Sequence, residues 1–287
     1  MVDPVKTLIH SNRLATRRFG QLSYMERVAD SRTVSVFFHG LGLDATDYQE
    51  YLESHETHAI AVNLAGYAPR AGDRVPPVPV SRHVEMVAGL VERIGRDNPD
   101  KPITLVGFSL GADLVLQLAE HWTSGTSGRR PSLGGALLLD PNANRSTMTI
   151  SQLFAAADGR DPLPALKKLV GLAPDLEGFR TLCSYASRIA AKDFSQVHQL
   201  ADDMINYWDP VGYDQFGARV SRVAEMAAKV NIVLSADYGE HLPEMRAAAR
   251  RRGCTEEKVS FTITDLDHFG LIEHPVLSRE LESLGCG

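Results

Sequence analysis

The chain alternates between short apolar runs and longer segments in which apolar residues recur every three or four positions. The short runs are typical of strands buried on both faces, and the longer segments are typical of amphipathic helices. We predict such strands at residues 33–38, 59–64, 103–106, 133–139, 230–235 and 259–264, with one or two outer strands within 6–22. Helices are predicted at residues 45–54, 81–97, 242–252 and 269–284, and in the segment that follows Ser109. Strands that alternate with helices predict an α/β fold with a doubly wound, mostly parallel sheet.

This alternation stops between about residues 145 and 230, where no convincing strand is visible. Helical spacing continues there, and the region is rich in aromatic residues. The helical segments predicted within it are 163–170, 178–191 and 195–208. We therefore predict a core built from residues 1–144 and 231–287, interrupted by a helical insertion at 145–230.

The segment around Ser109 carries the clearest chemical signal. A buried strand at residues 103–106 is followed by Gly107-Phe-Ser109-Leu-Gly111, which reads G-x-S-x-G. From Leu110 onward, leucines recur every four residues, as they do on one face of a helix. Glycines allow a turn too tight for side chains, and such a strand–turn–helix lifts a serine hydroxyl above the sheet. We therefore predict that Ser109 is a nucleophile.

Composition narrows the possible partners and the compartment. A net charge of −6 and a hydrophobic content of 44% indicate an ordinary soluble surface and argue against a nucleic-acid or anionic-membrane partner. No stretch approaches the length of a membrane span. Residues 1–6 do not begin a signal peptide, and Cys183, Cys254 and Cys286 are scattered, so we expect a cytoplasmic protein. Neither the cysteines nor the histidines have metal-ligand spacing, and we expect no metal or cofactor.

A serine nucleophile needs a base and usually a carboxylate that orients the base. With G-x-S-x-G, the expected chain order is serine, then acid, then histidine. His268 follows the last predicted strand, and Asp237 follows the strand before it. Asp140 ends a strand one step earlier and is the alternative acid. Strand order favours Asp237.

The oxyanion hole of such a site needs two backbone amides. We predict the amides of Leu110, directly after the nucleophile, and of Leu41, in a glycine-rich turn after the first inner strand. His39 precedes this turn and is interpreted as orienting it, with substrate binding as an alternative. Asn142 and Asn144 lie in a polar cluster that either holds a polar substrate group or satisfies the backbone of its own loop.

These motifs together resemble the α/β-hydrolase superfamily, from about residue 31 to 287. The resemblance rests on His39-Gly-Leu-Gly42, Gly107-Phe-Ser109-Leu-Gly111, Asp237 and His268 followed by phenylalanine. It implies the α/β-hydrolase fold, with the helical insertion as a cap or lid over an acyl pocket.

The expected activity is that of a serine hydrolase with a catalytic triad, an esterase or thioesterase. Its substrate would be a small-molecule carboxylic ester or thioester, free or attached to a carrier, cleaved through a covalent acyl-enzyme. Two alternatives remain open. The same site could serve an acyltransferase, cyclase or lyase, or the fold could be kept by a protein that only binds a ligand.

Overall fold

The computed structural model describes residues 14–67, 76–124 and 131–285. Residues 1–13, which hold the chain start examined for a signal peptide and part of the predicted outer-strand segment, lie outside the described residues. Cys286 also lies outside them.

Eight strands form a single sheet in the order β1-β2-β4-β3-β5-β6-β7-β8. Their bounds are β1 Ala15–Phe19, β2 Leu22–Arg27, β3 Val34–Phe38, β4 His58–Asn63, β5 Ile103–Phe108, β6 Leu133–Leu139, β7 Val230–Leu234 and β8 Val259–Ile263. Strands β1 and β2 are antiparallel, and the six strands from β3 to β8 run parallel. The doubly wound, mostly parallel sheet predicted from the apolar runs is therefore confirmed.

Helices cover both faces of the sheet. They are α1 Gln49–Ser54, α2 Val80–Asp97, α3 Leu110–Thr123, α4 Thr149–Ala155, α5 Leu163–Val170, α6 Leu176–Ala190, α7 Phe194–Tyr207, α8 Asp214–Met226, α9 Leu242–Arg251 and α10 His274–Ser283. Helices α2, α3, α8 and α9 pack side by side in one layer, while α1 packs against α10. The central strands β3, β5 and β7 are buried along their whole length between these layers.

The helices between β6 and β7 do not all belong to one insertion. Helices α4 to α7 pack mainly against one another, but α8 packs against α3 and α9. Helix α8 is thus the crossover helix that returns the chain to β7. The predicted insertion boundary at residue 230 falls one helix too late, because periodicity alone does not reveal which layer a helix joins. We call α4 to α7 the cap helices.

The sheet order brings the loops after β3, β5, β6 and β7 to one edge. Neighbouring parallel strands lie about 5 Å apart, so residues just after these strands come close in space. The amide of Ser109 donates to Leu139 O at 2.9 Å, and the amide of Asp140 donates to Val233 O at 2.9 Å. These bonds extend the ladder by one residue and set Ser109 and Asp140 at adjacent strand ends.

Candidate active site

Ser109 occupies a strained turn between β5 and α3. Its backbone has φ 52° and ψ −119°, a conformation that residues other than glycine seldom adopt. A Cβ at Gly107 would lie 2.4 Å from Gly111 O, and a Cβ at Gly111 would lie 2.1 Å from Phe38 O. Both glycines are therefore required by close backbone contacts, and the turn has the geometry expected of a nucleophile elbow.

His268 is hydrogen-bonded to Asp140. Its Nδ1 lies 2.8 Å from Asp140 Oδ2, and the other carboxylate oxygen accepts the amide of Ser235 at 2.7 Å. The Asp140 side chain is fully buried, whereas that of His268 is 26% exposed. Because a carboxylate accepts hydrogen bonds, Nδ1 of His268 carries the proton, and Nε2 of the neutral ring is left as the basic nitrogen.

The carboxylate that strand order favoured, Asp237, lies elsewhere. Its side chain is exposed on the 3₁₀ turn Ala236–Tyr238 and borders the same cavity, but no hydrogen bond among the described residues joins it to His268. Asp140 is thus the partner of His268, and the preference for Asp237 is corrected. The ends of β6 and β7 are adjacent, so strand order could not decide between them. The decisive features are the positive φ of Asp140, 43°, and its anchoring by the amide of Ser235.

Ser109, Asp140 and His268 line one cavity of about 370 Å³. Among the described residues, Ser109 Oγ donates no hydrogen bond, and bonds of this kind commonly tighten only when substrate is bound. One part of the lining is apolar, and the remainder carries hydroxyl, amide, carboxylate and imidazole groups. The cavity therefore surrounds Ser109 and His268 with both apolar and polar groups, as ligand pockets commonly do.

The two amides predicted for an oxyanion hole, those of Leu41 and Leu110, donate no hydrogen bond to any described residue. The peptide that follows Leu41 is held on both sides. Leu41 O accepts the hydroxyl of Tyr185 at 2.6 Å, and the amide of Gly42 donates to the hydroxyl of Tyr67 at 3.2 Å. This loop is preorganised with the Leu41 amide unpaired, as stabilisation of an oxyanion requires.

The sequence model of the alpha/beta hydrolase family matches residues 36–278. This range covers most of the chain and contains Ser109, Asp140 and His268. The chain belongs to the alpha/beta hydrolase family. No curated protein sequence matches it.

Solved structures of several hydrolase-fold enzymes are similar to this chain. An esterase from Thermogutta terrifontis is 17% identical, with a TM-score of 0.64 over 94% of this chain and 97% of the esterase. MenH from S. aureus is 15% identical, with a TM-score of 0.62 over 93% and 100% of the two chains. An AqdC variant that cleaves the ring of the Pseudomonas quinolone signal is 16% identical, with a TM-score of 0.67 over 96% and 100%. At this identity the likeness extends to the fold alone.

His39 supports the loop after β3 and does not line the cavity. It is fully buried, its Nδ1 lies 2.8 Å from Gly40 O, and its Nε2 accepts the amide of Leu64 at 3.2 Å. Burial lowers the pKa of His39 to about 4, so the ring is neutral near pH 7. The orienting interpretation fits these contacts, and the alternative of substrate binding does not.

The two asparagines of the polar cluster differ in position. Asn142 lines the cavity, and both its amide and its Nδ2 donate to Asp113, at 3.1 and 2.5 Å. Asn144 does not line the cavity. Its side chain accepts the amide of Ser146 at 2.9 Å and donates to Gly212 O at 3.0 Å. Asn142 therefore borders the cavity while its NH₂ group is held by Asp113, and Asn144 satisfies the backbone of its loop.

Asp113 is a buried carboxylate that no sequence motif indicated. It lies on the first turn of α3, four residues after the nucleophile, and also accepts the indole N–H of Trp208 at 3.2 Å. Burial raises its pKa to about 7, although the donors from Asn142 and Trp208 act in the opposite direction. The available signal was an acid between Ala112 and Leu114, in the otherwise apolar first part of the helix. Asp113 connects α3, the loop after β6 and the end of the last cap helix.

Charged residues connect cap helix α6 to the segment after β3, residues 39–48. Arg188 on α6 forms a two-pronged ion pair with Asp47, with Nη2 2.7 Å from Oδ2. Lys192, just beyond α6, pairs with Asp44. Burial raises the pKa of Asp44, but Lys192 and Thr46 more than offset this and hold it well below its usual value. The position of α6 is therefore coupled to the loop that carries the Leu41 amide.

Within residues 14–67, 76–124 and 131–285, no group of three or more histidine, cysteine, aspartate or glutamate side chains has an arrangement that could hold a metal ion. In the same ranges, no helix combines the length and the apolar character needed to cross a membrane.

Proposed function

We propose that this hydrolase cleaves a carboxylic ester or thioester through a covalent acyl-enzyme. The observation that carries the proposal is the hydrogen bond between His268 and the buried Asp140, at one edge of a cavity that Ser109 also lines. In this proposal Asp140, and not Asp237, is the acid of the catalytic triad. A charged acceptor on Nδ1 is what a histidine base requires in order to present Nε2 to a serine.

In the first step, Ser109 Oγ attacks the substrate carbonyl carbon while His268 Nε2 takes the hydroxyl proton. The ring becomes an imidazolium, and the carboxylate of Asp140 stabilises its charge. The tetrahedral intermediate then collapses, and the imidazolium gives the proton to the leaving alcohol or thiol. Ser109 retains the acyl group.

The negative charge on the carbonyl oxygen is met by the amides of Leu41 and Leu110. Leu110 begins α3, so the positive end of the helix dipole adds to the stabilisation. The peptide between Leu41 and Gly42 is already held by Tyr185 and Tyr67. The loop that carries the Leu41 amide therefore needs no reorganisation as the charge develops.

In the second step, water attacks the acyl-enzyme carbonyl. His268 takes a proton from the water and returns it to Ser109 Oγ as the carboxylic acid leaves. Both the nucleophile and the base are regenerated. Each turnover therefore cleaves one ester or thioester bond and consumes one water molecule.

Labelling with a fluorophosphonate tests for an activated serine. Intact mass should show a single adduct on wild type and on Ser151→Ala, which changes another serine of the same cavity. Ser109→Ala and His268→Ala should give none while keeping the circular dichroism spectrum of the wild type. An adduct that persists in Ser109→Ala, or no adduct on folded wild type, contradicts the proposal.

Turnover of matched esters and thioesters then distinguishes the two substrate types. Among the structures similar in fold is the AqdC variant, which cleaves the ring of its substrate, so the fold does not decide the reaction. Product analysis with added alcohol or amine acceptors separates hydrolysis from acyl transfer. If acceptor products exceed the free acid, the hydrolase assignment is wrong even when Ser109 is labelled.

A further inference from the structure

The buried carboxylate of Asp113 accepts hydrogen bonds from three N–H donors. Its Oδ1 accepts the backbone amide of Asn142, and its Oδ2 accepts both the side-chain NH₂ group of Asn142 and the indole N–H of Trp208. The backbone amide and the indole can only donate. The side-chain amide of Asn142 is the one partner of the three that could turn and accept, and an ionised Asp113 holds it as a donor.

This arrangement leaves the side-chain oxygen of Asn142 unpaired. Oδ1 accepts no hydrogen bond from a described residue, and it is not one of the fully buried unpaired atoms among those residues. Asn142 is 7% exposed and lines the cavity, so its oxygen is open to the cavity. A nearly buried amide oxygen is unfavourable unless a molecule in the cavity donates a hydrogen bond to it.

Asn142 lies close to the proposed reaction centre. It follows Asp140 by two residues, and Asp140 directly follows β6, the neighbour of the strand that precedes Ser109. Asp113, which holds Asn142, is about one helical turn, or about 6 Å, beyond Ser109 on α3. A substrate whose carbonyl carbon lies at Ser109 therefore has Asn142 within a few bonds of that carbon.

We propose that Asn142 Oδ1 binds a hydrogen-bond donor of the substrate, and that Asp113 is the positioning residue that turns this oxygen toward the cavity. The substrate is then an ester or thioester with a hydroxyl or N–H group a few bonds from the scissile carbonyl. The donor belongs either to the acyl part or to the leaving alcohol or thiol. This inference rests on the proposed function, because it needs the carbonyl carbon to lie at Ser109.

The charge of Asp113 decides which end of the Asn142 amide faces the cavity. A protonated Asp113 has to donate, so the amide turns, its oxygen accepts, and its NH₂ group faces the cavity. Burial raises the pKa of Asp113 to about 7, so this change falls near neutral pH. Arg219 of α8 is the charged neighbour that favours the ionised form, and Tyr207 and Tyr238 are neutral there because burial raises the pKa of each.

The test compares hydroxy esters with their methyl ethers at about pH 8.5, where Asp113 is ionised. One series contains methyl hexanoates with the hydroxyl at carbon two, three or six. The other contains hexanoate monoesters of ethylene glycol, propane-1,3-diol and butane-1,4-diol, which place the donor in the leaving group. Because an ether cannot donate, kcat/KM of the best hydroxy ester should exceed that of its ether about fivefold, the effect of one hydrogen bond. No preference in either series would overturn the proposal.

Asn142→Leu keeps about the size of the side chain and removes the acceptor. Its hydroxy-to-ether ratio of kcat/KM should fall to about one, and Asn142→Ala should give the same ratio if the leucine variant does not fold by circular dichroism. Ser151→Ala is the matched control, since it removes another polar group that lines the cavity and should keep the wild-type ratio. A ratio that survives in Asn142→Leu, or that is lost only in Ser151→Ala, overturns the proposal.

A pH profile tests the role of Asp113. In wild type the hydroxy-to-ether ratio should approach one as the pH falls from about 8.5 to about 5.5, because the NH₂ group of Asn142 then donates equally well to a hydroxyl or an ether oxygen. Protonation of His268 slows both esters alike and cancels in the ratio. A merely structural Asp113 would leave the ratio unchanged with pH, and that result would overturn its positioning role.

Binding to Ser109→Ala separates this inference from the proposed function. Calorimetry measures the hydroxy esters and their ethers on this variant, with and without Asn142→Leu. If wild type hydrolyses no ester, the proposed function fails, and tighter binding of a hydroxy ester that Asn142→Leu abolishes still supports the donor site. Equal binding of every hydroxy ester and its ether overturns it.

Discussion

Replacing Asp140 with asparagine removes the charge beside His268 and keeps the size of the side chain. The amide would still fit between the ring and the amide of Ser235. An asparagine can, however, present its NH₂ group to Nδ1, which then has to accept. The proton moves to Nε2, and the ring can no longer take a proton from Ser109.

The size of the effect follows from the geometry. The N–O distance is 2.8 Å, the carboxylate is fully buried, and the ring is mostly buried. Two unit charges at that distance and an effective dielectric constant of about 20 attract each other by about 6 kcal/mol. If the variant loses this stabilisation of the imidazolium, kcat falls by about four orders of magnitude.

The matched variant is Asp237→Asn, which removes an exposed carboxylate at the edge of the same cavity. Because water screens this charge and no hydrogen bond joins it to His268, we expect kcat to change by less than about threefold. Initial rates on the best ester substrate give kcat and KM for both variants. Circular dichroism and thermal unfolding establish that each variant is folded.

The opposite order of the two kcat values would contradict this prediction. If folded Asp140→Asn keeps a tenth or more of wild-type kcat while Asp237→Asn loses most of it, the observed hydrogen bond is not the catalytic one. If both variants remain fully active, the acid–histidine pair has no part in the rate-limiting chemistry.

Three further predictions concern the loop, the turn and the buried acid. Tyr185→Phe frees the oxyanion loop at one point, and we expect kcat to fall about tenfold with KM nearly unchanged in steady-state assays. In Gly111→Ala the new methyl group would lie 2.1 Å from a carbonyl oxygen of β3, so urea titration should show a loss of about 3 kcal/mol or more in the free energy of unfolding. Burial raises the pKa of Asp113 to about 7, so the folded protein keeps this proton to a higher pH than the unfolded chain and loses stability as pH rises from about 4 to about 7. About three pKa units correspond to about 4 kcal/mol, and the difference in unfolding free energy between wild type and Asp113→Asn should change by that amount from about pH 4 to about pH 8.

The first two of these predictions have matched control variants. Tyr213→Phe removes a hydroxyl that bonds to His241, away from the Leu41 loop, and should leave kcat closer to wild type. Gly89→Ala lies within α2, where the nearest atom is 3.5 Å away, and should raise stability by about 1 kcal/mol. A rise in KM alone for Tyr185→Phe, a stable Gly111→Ala protein, or a pH-independent difference for Asp113→Asn would contradict the respective prediction.

Much of the fold was predictable from local pattern. The predicted strand at 133–139 coincides with β6, and the predicted helix at 163–170 coincides with α5. The clearly amphipathic segments were found because hydrophobic periodicity is a local property. Helices α4 and α8 were not predicted. The first has only seven residues, and the second contains a glycine that lets it approach α9 closely.

The sequence by itself determined the turn at Ser109 and the strand ends that carry the candidate acids and the base. This was possible because glycine sterics and strand–helix patterns act over a few neighbouring residues. Only the tertiary structure decided that His268 meets Asp140, since β6 and β7 end side by side and both acids border the cavity. The choice depends on the positive φ of Asp140 and on the amide of Ser235, which is 95 residues away along the chain. The contact between the cap and the oxyanion loop through Tyr185 likewise joins residues that are distant in sequence, and no local pattern could reveal it.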